Sequence, residues 1–563
     1  MKIVIVGGVA GGATAAARIR RLDENAQIII LEKTGYVSYA NCGLPYYIGE
    51  TILDEEELTL QTPEGFWDRF RVDVRVRHEV FSIDTEKKTV TVRKTDDAQF
   101  YVESYDKLLL APGAKPNVPD IVGVNEKNIF TLRSVEDTLK IKKYTDEKKP
   151  QTATIIGGGF IGLEMAENLA KRGITVTIVQ YSDHLLGTLD FDMACFIHAQ
   201  MEKHGVCLML NTSVTEIEHK NDTSVVKTKD GANIPSDMVI LAIGVTPDSQ
   251  LAKKAGLELG AKGSILVNDH METSVKDIYA VGDAVEVEHF ITGEKALISL
   301  AGPANKQGRI AADNICGGNS TYRGSQGSSV IKLFDMTVAT TGLNETQAKR
   351  AKLSYEAVIL SPMSHASYYP GGQVMTMKVL FEKDTDRLLG AQIVGFDGVD
   401  KRLDVIATAI RGGLRARELS ELDLAYAPPY SSAKDPVNMA GFIIENIISG
   451  KVKQFHFEDV VRLPRDGSVF LLDSRTPREY ARGCAEGFVN IPLDDLRERL
   501  GEIPKEKPIY VMCQSGLRSY LACRILSLNG YDCYNFAGGY RFYDMVKRGT
   551  IQAQTSYVCG MEK

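Results

Sequence analysis

The sequence predicts an α/β chain made of several domains, and two observations support this fold class. A strand, a glycine-rich turn and a helix occur twice in the same order, and a separate block of strands and helices follows near the C-terminus. A chain of 563 residues has room for about three or four domains of roughly 150 residues each. An apolar content of 44% and a charged content of 25% are typical of globular proteins and argue against extensive disorder.

Charge, hydropathy and cysteine usage exclude several classes of protein. The net charge is −7 and the isoelectric point is near 5.9, which disfavours a protein that neutralises nucleic acid phosphates. No apolar run approaches the ~20 residues that cross a bilayer, and glycines and arginines interrupt the N-terminal apolar segment too early for a secretory signal. The nine cysteines are odd in number and lack metal-type spacing. We therefore expect a cytoplasmic protein with reduced thiols, without a nucleic acid partner, a membrane span or a metal site.

The first strand–turn–helix unit lies at the N-terminus. A strand at residues 2–6, a turn and a helix precede a second strand at residues 27–32. Glycines at such a turn let the backbone approach a pyrophosphate, and the helix N-terminus offers its amides. The turn departs from the usual glycine spacing at Val9, but Glu32 ends the second strand, where a carboxylate can accept bonds from a ribose. The predicted dinucleotide contacts are Gly7, Gly8, Ala10, Gly11, Gly12 and Glu32.

The second unit occupies residues 152–180 and has the full glycine spacing in GGGFIG. Its second strand ends at Gln180, so neither an acidic ribose partner nor a cation for a 2′-phosphate is present. The sequence therefore favours NADH but leaves NADPH open. The predicted contacts in this unit are Gly157, Gly159, Gly162 and Gln180.

Two further segments carry a family resemblance. Residues 108–116, LLLAPGAKP, and residues 273–284, TSVKDIYAVGDA, resemble the flavin-contacting motifs of the pyridine nucleotide-disulfide oxidoreductases. The resemblance covers residues 1 to about 450 and implies two Rossmann-like domains, with FAD in the first and NAD(P)H in the second. It also implies that Phe160 and Glu164 flank the nicotinamide. The residues that it assigns to FAD in the two further segments are Ala111, Pro112, Gly113 and Asp283.

The candidate redox residue is Cys42, which lies in VSYANCGLPYYIGE shortly after Glu32. Two-cysteine members of the family place a partner thiol a few residues away, whereas the next cysteine here is Cys195. A lone thiol accepts electrons only by forming a mixed disulfide with a substrate or by oxidation to a sulfenic acid. We expect the flavin and neighbouring amides to stabilise its thiolate.

The segment around Cys42 is similar to the coenzyme A-disulfide reductase family, which usually has Phe where this chain has Tyr39. Single-cysteine relatives that act as NADH oxidases or peroxidases carry a histidine in the glycine turn, and this chain has Ala10 there. The resemblance favours a thiol substrate and implies that the first helix binds coenzyme A, because two arginines three residues apart share a helical face. The implied coenzyme A contacts are Arg18, Arg21, Ser38, Asn41 and Cys42.

Two tyrosine-containing segments follow in the third domain, HASYYPGG and AYAPPYSSAKDPVN. In the family this region forms a dimer interface. The resemblance implies a homodimer in which Tyr368 and Tyr426 reach the partner's active site, so that each site uses residues of both subunits. A phenol at Tyr426 would then protonate the departing coenzyme A thiolate.

The C-terminal block is similar in order and spacing to rhodanese domains, through LLDSRTPREYARGCAEGFVNIPL, IYVMCQSGLRSYLACRIL and FAGGYRFY. Cys513 ends a strand, and the following loop opens a helix, so that successive N–H groups can surround the sulfur. Arg518 and Ser519 are predicted to lower the thiol pKa and to hold the terminal sulfur of a persulfide. A phosphatase shares the spacing of Cys513 and its arginine, but Asp473 and Arg475 fit a rhodanese better.

These motifs predict a six-part domain plan. Residues 1–150 form the first part of the FAD-binding domain, 151–270 the NAD(P)H-binding domain, 271–324 the second part of the FAD-binding domain, 325–450 an α+β dimerisation domain, 451–458 a polar linker and 459–563 a rhodanese-like α/β domain. Four cysteines are left as structural or unassigned, namely Cys484, Cys523, Cys533 and Cys559.

Together the motifs predict a flavin-dependent reductase that uses NAD(P)H to reduce coenzyme A persulfide, polysulfide and coenzyme A disulfide. Cys42 would carry the reduction, Cys513 would collect sulfane sulfur, and coenzyme A would be a bound substrate or a shuttle. Two alternatives stay open: an NADH oxidase or peroxidase, and a sulfurtransferase or redox-sensing partner protein.

Overall fold

The computed structural model describes residues 1–220 and 223–554, so Cys559 lies outside the described residues. Contacts divide the chain into two compact units. The first unit contains Met1–Ser182 and Glu202–Gly327. The second contains Asp183–Met201 and the described residues from Ser328 onward.

The first unit contains two parallel sheets of five strands. The strands of the first sheet are, in spatial order, Ile278–Ala280, Lys107–Leu110, Lys2–Val6, Gln27–Glu32 and Val72–Val76. Four of the five residues of the central strand KIVIV are buried, as expected for a parallel sheet covered on both faces. The first helix begins at Ala10, because the chain turns sharply at Gly7 and the helix starts within the glycine turn.

The second parallel sheet repeats this arrangement around the second glycine turn. Its strands are, in spatial order, Cys207–Met209, Thr175–Val179, Thr152–Ile156, Met238–Leu241 and Ile129–Thr131. The edge strand comes from residues that the sequence assigned to the first domain, so the boundary predicted at residue 150 falls after the chain has already joined the second sheet. A three-residue strand carries too little periodicity for the sequence to assign it.

Shorter antiparallel elements and further helices complete the described part of the first unit. The antiparallel strands are His78–Asp84, Thr89–Lys94 and Phe100–Ser104; Val214–Lys220, Thr223–Thr228 and Asn233–Ser236; Ala114–Pro116 and Val245–Pro247; and Val287–Glu288 and Lys295–Ala296. The helices are Ala10–Leu22, Leu44–Ile48, Pro63–Phe70, Val135–Lys148, Phe160–Lys171, Gln250–Lys254 and Ala301–Ile315.

The second unit contains an antiparallel sheet and a parallel sheet. The antiparallel strands are Ser329–Leu333, Met336–Gly342, Leu388–Gly395, Thr376–Glu382 and Tyr355–Leu360, and the parallel strands are Gln454–Phe455, Cys533–Phe536, Ile509–Met512, Phe470–Asp473 and Val489–Asn490. The helices that lie wholly or mostly in the second unit are Phe191–Lys203, Glu345–Arg350, Val399–Gly412, Pro436–Ile448, Phe457–Arg462, Pro477–Ala481, Leu517–Leu528 and Gly539–Gln554.

The segment predicted as a polar linker is structured. Gln454–Phe455 forms an edge strand of the C-terminal sheet, and the next helix begins at Phe457. Phe455 is buried against Phe536 with ring centroids 5.2 Å apart. An apolar side chain within a charged stretch was the signal for this strand, because burial of an aromatic ring outweighs the polar character of its neighbours.

No helix within the described ranges is both long enough and apolar enough to cross a membrane.

Candidate active site

The first glycine turn forms a close-packed cradle. Gly7 has φ +94°, and a side chain at this position would overlap the carbonyl of Ala111 at the end of a neighbouring strand. A side chain at Gly12 would overlap the carbonyl of Gly7. These contacts bring the predicted segments of Gly7–Gly12 and Ala111–Gly113 together at one edge of the sheet, where an open α/β sheet binds its ligand.

In each nucleotide-binding segment, a residue at or directly after the end of the second strand accepts a hydrogen bond from the glycine turn. Glu32 Oε2 accepts a hydrogen bond from Gly8 N at 2.9 Å, and its Oε1 accepts one from Thr34 N at 2.9 Å. In the nucleotide-binding segment of residues 152–180, Gln180 Oε1 accepts a hydrogen bond from Gly158 N at 2.8 Å. Gln180 therefore has the structural place of Glu32 but no charge.

The residues at the first turn fit the pyrophosphate and ribityl groups of FAD. The helix that begins at Ala10 has no side-chain hydrogen bond at its N-cap, Val9, so its first amides face the turn without a side-chain partner. Asp283 follows a strand at the same sheet edge, and its Oδ2 accepts a hydrogen bond from Arg133 at 2.7 Å. FAD requires amides that donate to its phosphates and a carboxylate that accepts from its hydroxyls, and both are present here.

The second glycine turn has the same geometry. Side chains at Gly157 and Gly162 would overlap the carbonyls of Ala242 and Gly157, whereas Gly159, at the N-cap of the helix, faces open space. Phe160 and Glu164 lie one turn apart on this helix and therefore share a face. The turn fits a second dinucleotide whose nicotinamide end lies beside that face.

Cys42 lies in a short turn, Asn41–Gly43, that leads into the helix Leu44–Ile48. Its thiol is exposed. The preceding segment is fixed to the first glycine turn, because Ser38 N donates to Gly8 O at 2.8 Å. Ser38 has a left-handed backbone, φ +49°, which is uncommon for a serine and is held here by that bond.

Charged groups from both nucleotide-binding segments act on the Cys42 thiol. Surrounding protein atoms raise its pKa, the Glu164 carboxylate raises it further, and Arg133 lowers it. The protein alone therefore disfavours the thiolate, and the stabilisation expected for it must come mainly from a bound cofactor.

Glu164 carries a proton that exchanges near neutrality. Burial raises its pKa to about 7, although a hydrogen bond from Tyr46 Oη at 3.4 Å opposes the rise. Tyr46 belongs to the helix that follows Cys42, and the sequence analysis did not select it. The tyrosine pair after the proline in LPYY was the available signal, but its partner lies 118 residues further along the chain.

The predicted coenzyme A arginines differ in their surroundings. Arg18 Nε donates to Asp313 Oδ1 at 2.7 Å, so a carboxylate compensates its positive charge. Arg21 is exposed. The predicted pair thus offers one accessible and one engaged guanidinium.

Tyr368 and Tyr426 are brought together within the second unit. Their hydroxyl oxygens lie 2.8 Å apart, and this hydrogen bond raises the pKa of Tyr426. Both side chains are exposed. Their two loops are fixed by the buried Arg402, which donates to Ser364 O at 2.9 Å and to Tyr430 O at 3.1 Å. The sequence analysis did not select Arg402, because its helix, Val399–Gly412, has the pattern of an ordinary amphipathic helix.

The Cys513 thiol lies in the predicted nest. Its Sγ accepts hydrogen bonds from Gly516 N at 3.1 Å and from Ser519 Oγ at 3.2 Å. Gly516 has φ +97° and turns the loop so that its amide faces the sulfur, and the helix then begins at Leu517. The side chain of Cys513 is fully buried in this conformation.

Arg518 contacts a carboxylate that the sequence analysis did not select. Its two terminal nitrogens donate to the two oxygens of Glu479 at 2.8 and 2.7 Å, and this bonding lowers the pKa of Glu479 to about 2. The positive charge of Arg518 is therefore paired with a carboxylate. The capping-box spacing of Thr476 and Glu479 was visible in the sequence, but it indicated only a helix start.

The three unassigned cysteines within the described residues differ in their surroundings. Cys484 is exposed, and Cys523 and Cys533 are buried beside one another, with Cys533 Sγ donating to Cys523 O at 3.2 Å. No group of three metal-ligating side chains occurs in the part of the chain that the structure describes.

Three family models match consecutive parts of the chain. Residues 1–308 match pyridine nucleotide-disulphide oxidoreductase, residues 328–436 match the dimerisation domain of the same family, and residues 457–544 match the rhodanese-like domain. These matches confirm the predicted fold class.

Individual relatives agree with these models. A coenzyme A disulfide reductase of Staphylococcus aureus is 38% identical over 442 residues, which are 78% of this chain and 99% of the relative. The crystal structure of reduced CoADR-RHD from Bacillus anthracis is 50% identical and covers 97% of this chain and 98% of its own, with a TM-score of 0.95. An NAD-dependent persulfide reductase from A. fulgidus is 37% identical and covers 96% of this chain and all of its own, with a TM-score of 0.91.

Proposed function

The chain belongs to the pyridine nucleotide-disulphide oxidoreductase family, and from this premise we propose that it is a flavin-dependent reductase of coenzyme A persulfide, polysulfide and coenzyme A disulfide. The observation that carries the proposal is the presence of two thiols with separate surroundings. Charged groups of both nucleotide-binding segments shift the pKa of Cys42, and Cys513 lies in a nest of hydrogen-bond donors.

FAD, when bound, supplies the redox chemistry by taking a hydride from NAD(P)H and returning two electrons to a disulfide. The Cys42 thiolate attacks the inner sulfur of coenzyme A persulfide, forms a mixed disulfide with coenzyme A and releases hydrosulfide. With coenzyme A disulfide the same attack releases one coenzyme A thiolate. Two electrons and one proton then restore the Cys42 thiolate and release coenzyme A as a thiol.

Protons for this cycle come from groups near the two ends of the mixed disulfide. Glu164, with a pKa of about 7, exchanges a proton on the nicotinamide side of Cys42. In the proposed homodimer, the hydrogen-bonded pair of Tyr368 and Tyr426 from one copy protonates the coenzyme A thiolate in the active site of the other. The dimerisation domain supports this arrangement.

Cys513 supplies sulfane sulfur in the proposed cycle. A Cys513 persulfide passes its outer sulfur to a coenzyme A thiolate, which yields coenzyme A persulfide and the Cys513 thiolate. We propose NADH as the preferred reductant, because the residue at the position that contacts the adenosine ribose is Gln180, which is uncharged and offers no cation to a 2′-phosphate. Both thiols must be reduced to act, so we propose that the protein works in the cytoplasm.

The test is anaerobic oxidation of NADH by the holoenzyme with each of the three substrates. We expect Cys42→Ser to abolish turnover with coenzyme A persulfide, coenzyme A disulfide and polysulfide. Cys513→Ser should retain turnover with the disulfide and lose mainly turnover with polysulfide. Equal loss on every substrate in Cys513→Ser would refute the division of labour between the two thiols.

The alternatives give different results in the same assay. An NADH oxidase or peroxidase would consume NADH with oxygen or peroxide at full rate without any added thiol substrate. A sulfur-transfer or redox-sensing protein would show negligible turnover with coenzyme A persulfide but rapid sulfur delivery to a protein acceptor.

A further inference from the structure

The Arg518 side chain at the Cys513 loop is paired with a carboxylate, which compensates its positive charge. Both of its terminal nitrogens donate to Glu479, at 2.8 and 2.7 Å. Glu479 is fixed in turn, because its Oε2 also accepts hydrogen bonds from Thr476 N at 3.0 Å and Thr476 Oγ1 at 2.9 Å. The pair is partly exposed, and a bidentate arginine–carboxylate contact of this kind is the strongest form of surface ion pair.

The second arginine near the loop is also neutralised. Arg475 is buried, donates to both oxygens of Asp473, and lies over the ring of Tyr540 at 3.9 Å. Arg541, one residue further, has no ion pair among the described residues, and burial is the only influence on its pKa. Among the described residues, the hydrogen bonds to the Cys513 sulfur come from Gly516 N and Ser519 Oγ and not from this guanidinium.

The groups that contact the Cys513 sulfur are consequently uncharged dipoles, Gly516 N and Ser519 Oγ. Such a nest can stabilise one thiolate or persulfide sulfur. It offers no net positive charge to compensate a second anion that must approach at the same time. A donor with a charged group next to its reacting sulfur is therefore disfavoured relative to a donor whose charges are far from that sulfur.

We propose that Glu479 determines the donor specificity of the sulfur-transfer site, by occupying Arg518 and so disfavouring small anionic sulfane donors. Thiosulfate, which stays a dianion near neutrality, represents the disfavoured class. Coenzyme A persulfide represents the favoured one, because its protonated form is uncharged at the reacting sulfur and its phosphates lie at the far end of a long pantetheine arm. The inference rests on the proposed function and deepens it by naming the residue that selects the compounds with which Cys513 exchanges sulfur. Transfer from coenzyme A persulfide to Cys513 is the reverse of the transfer in the proposed cycle.

Both donors load Cys513 by the same type of reaction. With thiosulfate, the Cys513 thiolate attacks the outer sulfur, the S–S bond breaks, and sulfite leaves with the electron pair. With coenzyme A persulfide, the thiolate attacks the outer sulfur and a coenzyme A thiolate leaves. In either case cyanide can then remove the outer sulfur as thiocyanate and restore the Cys513 thiolate.

The experiment compares the two donors in the full-length holoenzyme with cyanide as the acceptor and thiocyanate as the product. The rate of Cys513→Ser is subtracted as the uncatalysed background. In Glu479→Gln we expect the ratio of kcat/KM for thiosulfate to kcat/KM for coenzyme A persulfide to rise about tenfold, the size of one charge-assisted hydrogen bond at a partly exposed site. Gln keeps the helix cap, since a glutamine also completes a capping box.

Three further variants make the result specific. Glu479→Asp keeps the charge and should return the ratio to the wild-type value. Arg518→Gln leaves the carboxylate unopposed and should lower the ratio, which tests the proposal even when Glu479→Gln folds poorly. The matched control is Glu502→Gln, because Glu502 forms an equally bidentate pair with Arg499, at 2.7 Å, away from the loop.

An unchanged ratio, or a parallel loss with both donors in Glu479→Gln, would overturn the proposal. The assay uses no NADH, so it separates this inference from the reductase function. A shifted donor ratio without NADH-dependent reduction of coenzyme A persulfide would contradict only the reductase function. An unchanged donor ratio with normal NADH-dependent reduction would contradict only the role of Glu479.

Discussion

The charge state of Glu164 controls the neighbouring Cys42 thiol. Burial raises the pKa of Glu164 from 4.5 to about 7, so the carboxyl is largely protonated below pH 7 and charged above it. The charged form raises the pKa of Cys42 and thus opposes its thiolate. Ionisation of Glu164 therefore opposes ionisation of Cys42.

Glu164→Gln should remove this opposition. We expect the pH profile for alkylation of Cys42 by iodoacetamide to shift to lower pH in the variant. The rates of the two proteins should converge below pH 7, where Glu164 is protonated, and diverge above it. The rate is measured in protein without nicotinamide, with the modified residue identified by mass spectrometry.

The control for this prediction is Glu50→Gln. Glu50 is an exposed carboxylate of the same chain segment and pairs with Lys142 at 3.1 Å, and it does not act on Cys42. Its profile should match that of the wild type. Identical profiles for Glu164→Gln and the wild type would contradict the coupling of the two residues.

At the scale of elements, the glycine turn depends on a close contact between two helices. The helices Ala10–Leu22 and Ala301–Ile315 approach so closely that a side chain at Gly308 would overlap the carbonyl of Gly11. The overlap is with backbone, which cannot rotate away. The FAD cradle and the helix that follows residue 300 are therefore packed as one layer.

Gly308→Ala should destabilise the protein by about 1–3 kcal/mol through overpacking of this contact. Gly302→Ala on the same helix is the matched control, because a side chain there meets nothing within 4 Å. That control should be neutral or stabilising by at most about 1 kcal/mol, owing to the better helix propensity of alanine. Urea unfolding gives both values, and equal stabilities of the two variants would rule out the predicted overlap.

At the scale of the whole molecule, the chain leaves the first unit at residue 183 and returns at residue 202. The intervening segment is held in the second unit by Lys378, whose side chain is 1% exposed. Its Nζ contacts Asp190 at 3.0 Å, Asp192 at 2.8 Å and Glu345. A single buried cation thus offsets three carboxylates from segments that are far apart in the sequence.

Lys378→Met should lower the free energy of unfolding by about 3–5 kcal/mol, since it leaves buried carboxylates without a counter-charge. Lys349→Met is the control, because Lys349 is exposed and pairs with Glu345 at 3.7 Å, and its removal should cost less than about 1 kcal/mol. Thermal unfolding monitored by circular dichroism provides the comparison. A loss of similar size in both variants would show that the buried network does not stabilise the segment.

The domain order, the two glycine turns and both candidate redox cysteines could be predicted from the sequence, because each depends on residues that are close together in the chain. A buried strand, a tight turn and a helix start have local physical causes, namely periodicity, backbone freedom and unpaired amides. Cys42 and Cys513 follow from such local patterns. The edge strand Ile129–Thr131 did not, because its place is set by pairing with Met238–Leu241.

The charges around each thiol were decided only by the tertiary structure. Glu164 acts on the distant Cys42 and accepts a hydrogen bond from Tyr46, 118 residues earlier in the chain. Arg518 donates to Glu479, 39 residues earlier. An ion pair forms between whichever opposite charges the fold brings within a few ångströms, and sequence spacing carries no record of that distance. Local motifs therefore predict the candidate thiol of each site, whereas the charged groups around that thiol are set by the tertiary structure.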